Sequence, residues 1–223
     1  MKKQTKRRMA FLAGFLLYFG VIWYFWETAA VYPLKIFVVL LHETSHAVAL
    51  WATGGTVESI TLDPNQGGAT YGRGGSRILT LSAGYLGSLL WGTLLVMLAY
   101  VRRVSAGAVV LAVGVLVALL TVFYVRSLFG IAFGLLFALG LLGAGRWLSV
   151  AWNRRLLLVL GLTSCLYAIL DIKSDILDRP HLRSDAAMLA EVTGVPTVVW
   201  GVLWIVVALG VSAALFRWAW KRA

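Results

Sequence analysis

Seven long apolar runs constrain this chain more than any other feature of its sequence. Each is close to the length of about 20 residues that a helix needs to cross the hydrocarbon core of a bilayer. The chain of 223 residues is 61% hydrophobic and only 13% charged. This composition is atypical of soluble domains of this size. We therefore predict an all-α polytopic membrane protein with about seven transmembrane helices, or six as the alternative count. The runs cover residues 9–26, 33–52, 78–100, 105–125, 127–145, 156–172 and 196–218, and we expect one transmembrane domain over residues 1–223.

The net charge of +11 has to be interpreted in this membrane setting. In a soluble protein it would suggest a nucleic-acid partner, but here the basic residues flank the apolar runs, beside lipid head groups. We therefore expect a bilayer and no nucleic acid as partner. Five basic residues precede the first run, which predicts a retained first span and a cytoplasmic N-terminus. We expect a multi-pass protein, with the bacterial plasma membrane as its location. Seven alternating spans would then place the C-terminus on the opposite side.

The second run contains His42-Glu43-Thr44-Ser45-His46, an H-E-x-x-H pattern. Two histidines four residues apart lie on one face of a helix and can share one tetrahedral zinc ion. Glu43 is then placed to act as the general base for a zinc-bound water. A glutamate and two histidines inside an apolar span are costly unless each finds a partner, and one metal ion satisfies all three. We therefore predict Zn²⁺ as the cofactor.

A catalytic zinc site needs a third protein ligand, and the chain offers few acidic or histidine residues. Asp171 is favoured because the second and sixth runs are expected to cross the membrane in the same direction, which places Asp171 and His46 at similar depth. Asp175 lies one helical turn later and is the alternative ligand, or an outer partner that holds a histidine N–H. The remaining candidates lie in loops, near run edges or on a short helix predicted over 184–193: Glu27, Glu58, Asp63, His181 and Glu191.

The longest polar stretch, residues 53–77, follows the H-E-x-x-H run. Residues 56–62 alternate like a strand, residues 63–68 have turn composition, and residues 69–71 can return as a second strand. This hairpin is either an ordinary surface loop or an edge strand that pairs with an extended substrate. In the second case the candidate substrate-binding residues are Thr56, Val57, Ser59, Gly67 and Gly68.

Several short motifs occur in a specific order along the chain. They are the H-E-x-x-H at 42–46, Thr53-Gly54-Gly55, Asp63-Pro64-Asn65 with Gly67-Gly68, Ala83-Gly84-Tyr85-Leu86-Gly87-Ser88, the Asp171–Asp175 pair, Ser184-Asp185-Ala186, Thr193-Gly194-Val195-Pro196 and Trp200-Gly201. This pattern resembles peptidase family M50, the site-2-protease class of intramembrane zinc metalloproteases, in its compact M50B-like branch. The resemblance implies a zinc-dependent endopeptidase that has histidine, histidine and aspartate ligands and a catalytic glutamate, and that acts on membrane-anchored proteins.

The better-known members of that class place the third ligand in a Leu-Asp-Gly or Asn-x-x-Pro-Asp-Gly setting, which this chain lacks. The assignment of Asp171 therefore rests on its position. Two other functions remain open from the residues alone: a zinc-dependent membrane hydrolase acting on a lipid or small substrate, and a metal-stabilised membrane scaffold without catalysis. Glu43 argues against the scaffold, because a structural metal site needs no base at that position.

Overall fold

The computed structural model describes residues 2–178 and 184–222 of the chain, so the predicted loop histidine His181 lies outside the described residues. The fold is helical with one short antiparallel hairpin after the second helix, as predicted. The helices are α1 (Lys2–Tyr24), α2 (Tyr32–Ala52), α3 (Arg77–Tyr100), α4 (Ala106–Tyr124), α5 (Leu128–Trp147), α6 (Val150–Lys173), α7 (Asp185–Thr193) and α8 (Thr197–Trp220). One π-helical turn, Ser174–Asp178, extends α6. The hairpin consists of β1 (Thr56–Leu62) and β2 (Gly68–Arg73).

Six of these helices are long and apolar enough to cross a membrane: α2, α3, α4, α5, α6 and α8. The count agrees with the lower of the two predicted values. The predicted first run lies in α1, which is equally long but carries the basic N-terminal cluster in its first turns. The fold is therefore that of a polytopic membrane protein.

Serine side chains cap the first turns of α3 and α7. The side chain of Ser76 accepts a hydrogen bond from the Leu79 amide at the start of α3, and Ser184 does the same for Ala187 at the start of α7. Such caps satisfy amides that the first helical turn leaves unpaired. Gly194 ends α7 with a φ of 72°, a left-handed conformation that favours glycine. Both ends of α7 are thus encoded locally.

Helix α3 lies between α2 and α6, and small residues allow the close approach on both sides. A Cβ atom at Gly84 would overlap the His42 imidazole, and one at Gly87 would overlap the Ser45 side chain. On the α6 side, a Cβ at Gly92 would lie 2.7 Å from the Gly161 carbonyl oxygen. This small-residue face lets α3 support the histidine-bearing helix directly.

Helix α2 is inclined to the other helices. Near its end, the Trp51 ring packs 5.2 Å from the Tyr124 ring, while at its start the Tyr32 ring lies 6.5 Å from the Phe129 ring. Both ends therefore contact the region of the α4–α5 turn. Helix α2 is also the most deeply buried of the six apolar helices, so its polar residues lie inside the protein.

The hairpin runs beside α2 and is paired asymmetrically. Strand β1 pairs with β2 on one side. On its other side, the Arg126 amide donates to the Ile60 carbonyl at 2.9 Å, and the Leu62 amide donates to Ser127 Oγ at 2.9 Å. In the described part of the chain, β2 has β1 as its only strand neighbour. The free edge of the hairpin is therefore β2.

The start of α1 and the end of α8 lie at the same end of the bundle. The Phe11 ring is 5.5 Å from the Phe216 ring, and the Arg8 guanidinium lies 5.6 Å from the centre of the Trp220 ring. This differs from the opposite placement that seven alternating spans predict. The physical reason is the inclined α2, which starts and ends beside the same turn and so does not run the length of the bundle.

Candidate metal centre

A cavity of about 530 Å³ opens at the end of the bundle where α3 begins and α6 ends. His42, Glu43 and His46 line it from α2, while Asp171 and Asp175 line it from α6 and the turn that follows. The structure therefore brings together all the predicted metal-site residues. Of the predicted substrate-binding residues, Gly68 lines this cavity, whereas Thr56, Val57, Ser59 and Gly67 belong to other parts of the hairpin and its turn.

The residue closest to both histidines is Asp185, at the start of α7. Its Oδ2 atom lies 3.0 Å from His42 Nε2 and 3.1 Å from His46 Nε2. The Asp185 side chain is buried, with 9% of its surface exposed. Asp185 belongs to the Ser184-Asp185-Ala186 motif, but it is not one of the ligands predicted from the sequence. The signal that could have found it is a carboxylate in the first turn of a short helix between two apolar runs.

Asp185 is held in its charged form by the two imidazoles. Burial of its carboxyl group acts to raise the pKa, but the nearby His46 and His42 rings, together with their hydrogen bonds, outweigh burial and lower it. The carboxylate is therefore ionised at neutral pH. An ionised oxygen shared by two imidazole nitrogens is an arrangement that a metal cation also stabilises.

The other ring nitrogens of the two histidines face different partners. His46 Nδ1 donates to the Thr80 carbonyl oxygen at 2.6 Å, which leaves Nε2 as the nitrogen that faces Asp185. His42 Nδ1 lies 3.9 Å from Asp171 Oδ2, an ion-pair distance longer than a hydrogen bond. Partners of this kind orient a ligand histidine and select which nitrogen is available to a metal.

Asp175 is connected to the site through Tyr85. The Tyr85 hydroxyl donates a hydrogen bond to Asp175 Oδ2. The Tyr85 ring packs edge-on against the His42 ring, with centroids 4.9 Å apart and an interplanar angle of 88°. In these contacts Asp175 supports the wall that holds His42.

Glu43 is buried beside the two histidines and is covered by β2. The Thr70 hydroxyl donates to Glu43 Oε2 at 2.8 Å, and a Cβ atom at Gly68 would lie 2.7 Å from Glu43 Cγ. The glycine therefore allows the strand to approach the carboxylate closely. One donor atom from each of His42, Glu43 and His46 lies within 4.8 Å of the others.

The two distances from Asp185 Oδ2 to the histidine nitrogens are compatible with neighbouring ligands of one tetrahedral metal ion. Metal–ligand bonds of about 2.0–2.2 Å at tetrahedral angles place neighbouring ligand atoms about 3.3 Å apart. The Asp185 oxygen lies at nearly this distance from both histidine nitrogens. Two imidazoles and one carboxylate form a donor set typical of catalytic zinc sites, and Glu43 remains beside it.

A family model described as Peptidase M50B-like matches residues 15–215. This chain belongs to the Peptidase M50B-like family. The match extends from α1 through α8 and so includes His42, Glu43, His46 and Asp185. At the level of the family, membership implies a membrane metalloprotease of the site-2 type. No curated protein and no solved structure matched the chain.

Proposed function

We propose that this M50B-like chain is a zinc-dependent intramembrane endopeptidase that hydrolyses peptide bonds of membrane-anchored proteins. The observation that carries the proposal is the position of Asp185 Oδ2, about 3 Å from the Nε2 atoms of both His42 and His46. A buried carboxylate, Glu43, lies beside these donors. Metal ligands together with an adjacent base distinguish a hydrolytic site from a structural one.

In this proposal His42, His46 and Asp185 hold the zinc. The sequence assigned the third position to Asp171, with Asp175 as the alternative, and that assignment remains a prediction. The distances favour Asp185, because it lies 3.0 Å from Nε2 of His42, whereas Asp171 lies 3.9 Å from the other ring nitrogen, Nδ1. Asp171 then acts as the outer partner that orients His42.

The chain's own residues account for the proton transfers of peptide hydrolysis. A zinc ion bound there would polarise the scissile carbonyl and make a water molecule acidic enough to lose a proton near neutral pH. Glu43 accepts that proton and passes it to the leaving amine nitrogen. The Thr70 hydroxyl holds Glu43 Oε2, which fixes the carboxylate and leaves Oε1 as the oxygen for proton transfer.

The free edge of β2 is proposed to bind the substrate backbone in an extended form. The Asp63 amide donates to the Gly67 carbonyl at 2.8 Å, and antiparallel pairing alternates from there, so the backbone groups of Gly68 and Thr70 point away from β1. A helical substrate must unwind before hydrolysis, and an exposed strand edge compensates for its lost backbone hydrogen bonds. The exposed edge of β2 favours a peptide over a lipid substrate. It also moves the expected contact with the substrate backbone from β1 to β2.

Cross-linking distinguishes the two strands. With Cys165 as the only native cysteine, and buried, we expect Ala69→Cys on β2 to form a disulfide with a cysteine placed near the cleavage site of a single-span substrate. Thr61→Cys, its partner across the hairpin, is the matched control and should cross-link at least about tenfold less. Preferential cross-linking to Thr61→Cys would instead support substrate pairing with residues 56–62, the strand that contains the predicted contacts Thr56, Val57 and Ser59.

The proposed activity is tested by metal removal from the purified protein in a bilayer. Incubation with a zinc chelator should abolish cleavage of a single-span substrate, and added Zn²⁺ should restore it, because apo protein lacks the group that activates water. Mg²⁺ should not restore it, since two histidines and one carboxylate do not match its preference for oxygen ligands. Cleavage that is unaffected by chelation, with zinc shown to be absent, would contradict the proposal.

We also propose that the N-terminus is cytoplasmic and that the metal centre opens toward the opposite side. The segments at the basic end, 2–10, 99–108, 145–156 and 215–222, carry most of the 20 Lys and Arg residues and none of the 9 Asp and Glu residues. Such a bias favours the cytoplasmic side. A membrane-impermeant maleimide added to intact cells should therefore label Asn65→Cys in the hairpin turn and not Arg222→Cys. The reverse labelling would invert the orientation.

A further inference from the structure

A second cavity, of about 610 Å³, lies between α1 and the rest of the bundle. Helices α3, α6 and α8 form its other walls. The lining is almost entirely apolar and includes Phe11, Phe15, Val96, Leu162, Leu215 and Phe216. Its volume falls within the range of about 300–1,000 Å³ that is usual for small-molecule sites. It is separate from the metal centre, with no lining residue in common.

Helix α1 stands away from the bundle along this cavity. The Tyr18 hydroxyl contacts Thr163 Oγ1 at 2.7 Å and the Val159 carbonyl at 3.2 Å, and the Phe11 and Phe15 rings pack on Phe216. Between these contacts, a Cβ atom at Gly14 would meet nothing within 4 Å. The space beside Gly14 is therefore open to an apolar chain.

Uncompensated positive charge lies at one end of the cavity. Arg155 is the charged residue of the lining, and Arg8 lies nearby over the Trp220 ring. Among the described residues, neither arginine pairs with a carboxylate, and Arg8 Nε is buried without a hydrogen-bond partner. An anion at this end would supply the missing acceptor.

We propose that this cavity binds one anionic phospholipid, with an acyl chain between α1, α6 and α8 and its phosphate beside Arg155 and Arg8. The apolar lining matches a hydrocarbon chain, and the arginines match a phosphate at interfacial depth. Tryptophan rings under Arg8 and Arg155 are typical of the level of lipid head groups. The bound lipid would fill the gap beside α1 and hold that helix against the bundle. This site is independent of the proposed peptidase activity.

Native mass spectrometry of the full chain tests this site, after equilibration in mixed micelles with equal phosphatidylglycerol and phosphatidylcholine. We expect one retained phosphatidylglycerol per chain. Arg155→Gln should reduce retention roughly fivefold, the contribution of one basic residue beside an anionic lipid. Arg103→Gln removes the same charge from an exposed position at the same end and should have little effect.

A second pair of variants tests the cavity itself. Gly14→Leu fills the open space and should abolish the retained lipid, whereas Gly20→Leu is an equivalent change on α1, at a position that also meets nothing within 4 Å but does not line the cavity. The proposal would be overturned if phosphatidylglycerol and phosphatidylcholine were retained equally. It would also be overturned if Arg155→Gln and Arg103→Gln reduced phosphatidylglycerol retention equally. Unchanged lipid in Gly14→Leu would also overturn it, and combined with lost substrate cleavage would point to a substrate helix as the occupant.

Discussion

We expect Asp185→Ala to lose bound zinc and Asp171→Asn to retain it. This is the expected result if Asp185 is the third ligand, because its Oδ2 atom is shared by the Nε2 atoms of both histidines. Loss of even an outer partner of a ligand typically lowers metal affinity 10–100-fold, so we expect Asp185→Ala to lower it by at least about a hundredfold. Asp171→Asn keeps a polar group beside His42 Nδ1 and should lower it by about tenfold or less.

Metal content of the purified variants and competition with a chelator of known affinity measure both changes. Asp175→Asn is the matched control: it alters a carboxylate in the same cavity that is held by the Tyr85 hydroxyl. Thermal unfolding in detergent identifies any variant that loses zinc only because it does not fold. If Asp171→Asn lost zinc and a folded Asp185→Ala kept it, the original assignment of Asp171 would be correct.

We expect Glu43→Gln to keep bound zinc and to lose peptide hydrolysis. The glutamine is nearly isosteric and can still accept the Thr70 hydrogen bond, but it cannot take a proton from water. General-base catalysis typically contributes about 10²–10⁴-fold, and we expect a decrease in kcat of that size. The measurement is the rate of cleavage of a single-span substrate in bilayers, with the zinc content determined on the same samples.

Thr70→Val is the companion variant for Glu43. It removes the hydroxyl that fixes the carboxylate but leaves the carboxylate itself, so we expect a smaller decrease in kcat than with Glu43→Gln. Equal activity of Glu43→Gln and wild type, with equal zinc content, would show that Glu43 is not the base. Loss of zinc from Glu43→Gln would instead indicate that Glu43 is a ligand, which is the other donor set that the distances allow.

Most of the architecture could be predicted from the sequence, because its signals are local. A run of apolar residues is sufficient to predict a helix. The helix bounds in the structure lie close to those of most predicted runs. The exceptions are the first and sixth runs. Helix α1 begins at Lys2, within the basic cluster, and α6 begins at Val150 and includes the polar Asn153, Arg154 and Arg155 before the apolar stretch. The alternation in 56–62 and the turn residues after it likewise encoded the hairpin.

The sequence by itself determined the fold class and three of the four residues proposed for the metal centre, since His42, Glu43 and His46 share one helix and helical spacing alone places them together. Only the tertiary structure places the Asp185 carboxylate, rather than that of Asp171, about 3 Å from the Nε2 atoms of both histidines. Asp171 and Asp185 both approach α2 from elements more than a hundred residues away, and helical periodicity carries no information on such distances. The same applies to the inclined α2, the free edge of β2 and the gap beside α1, because each depends on how separate elements pack.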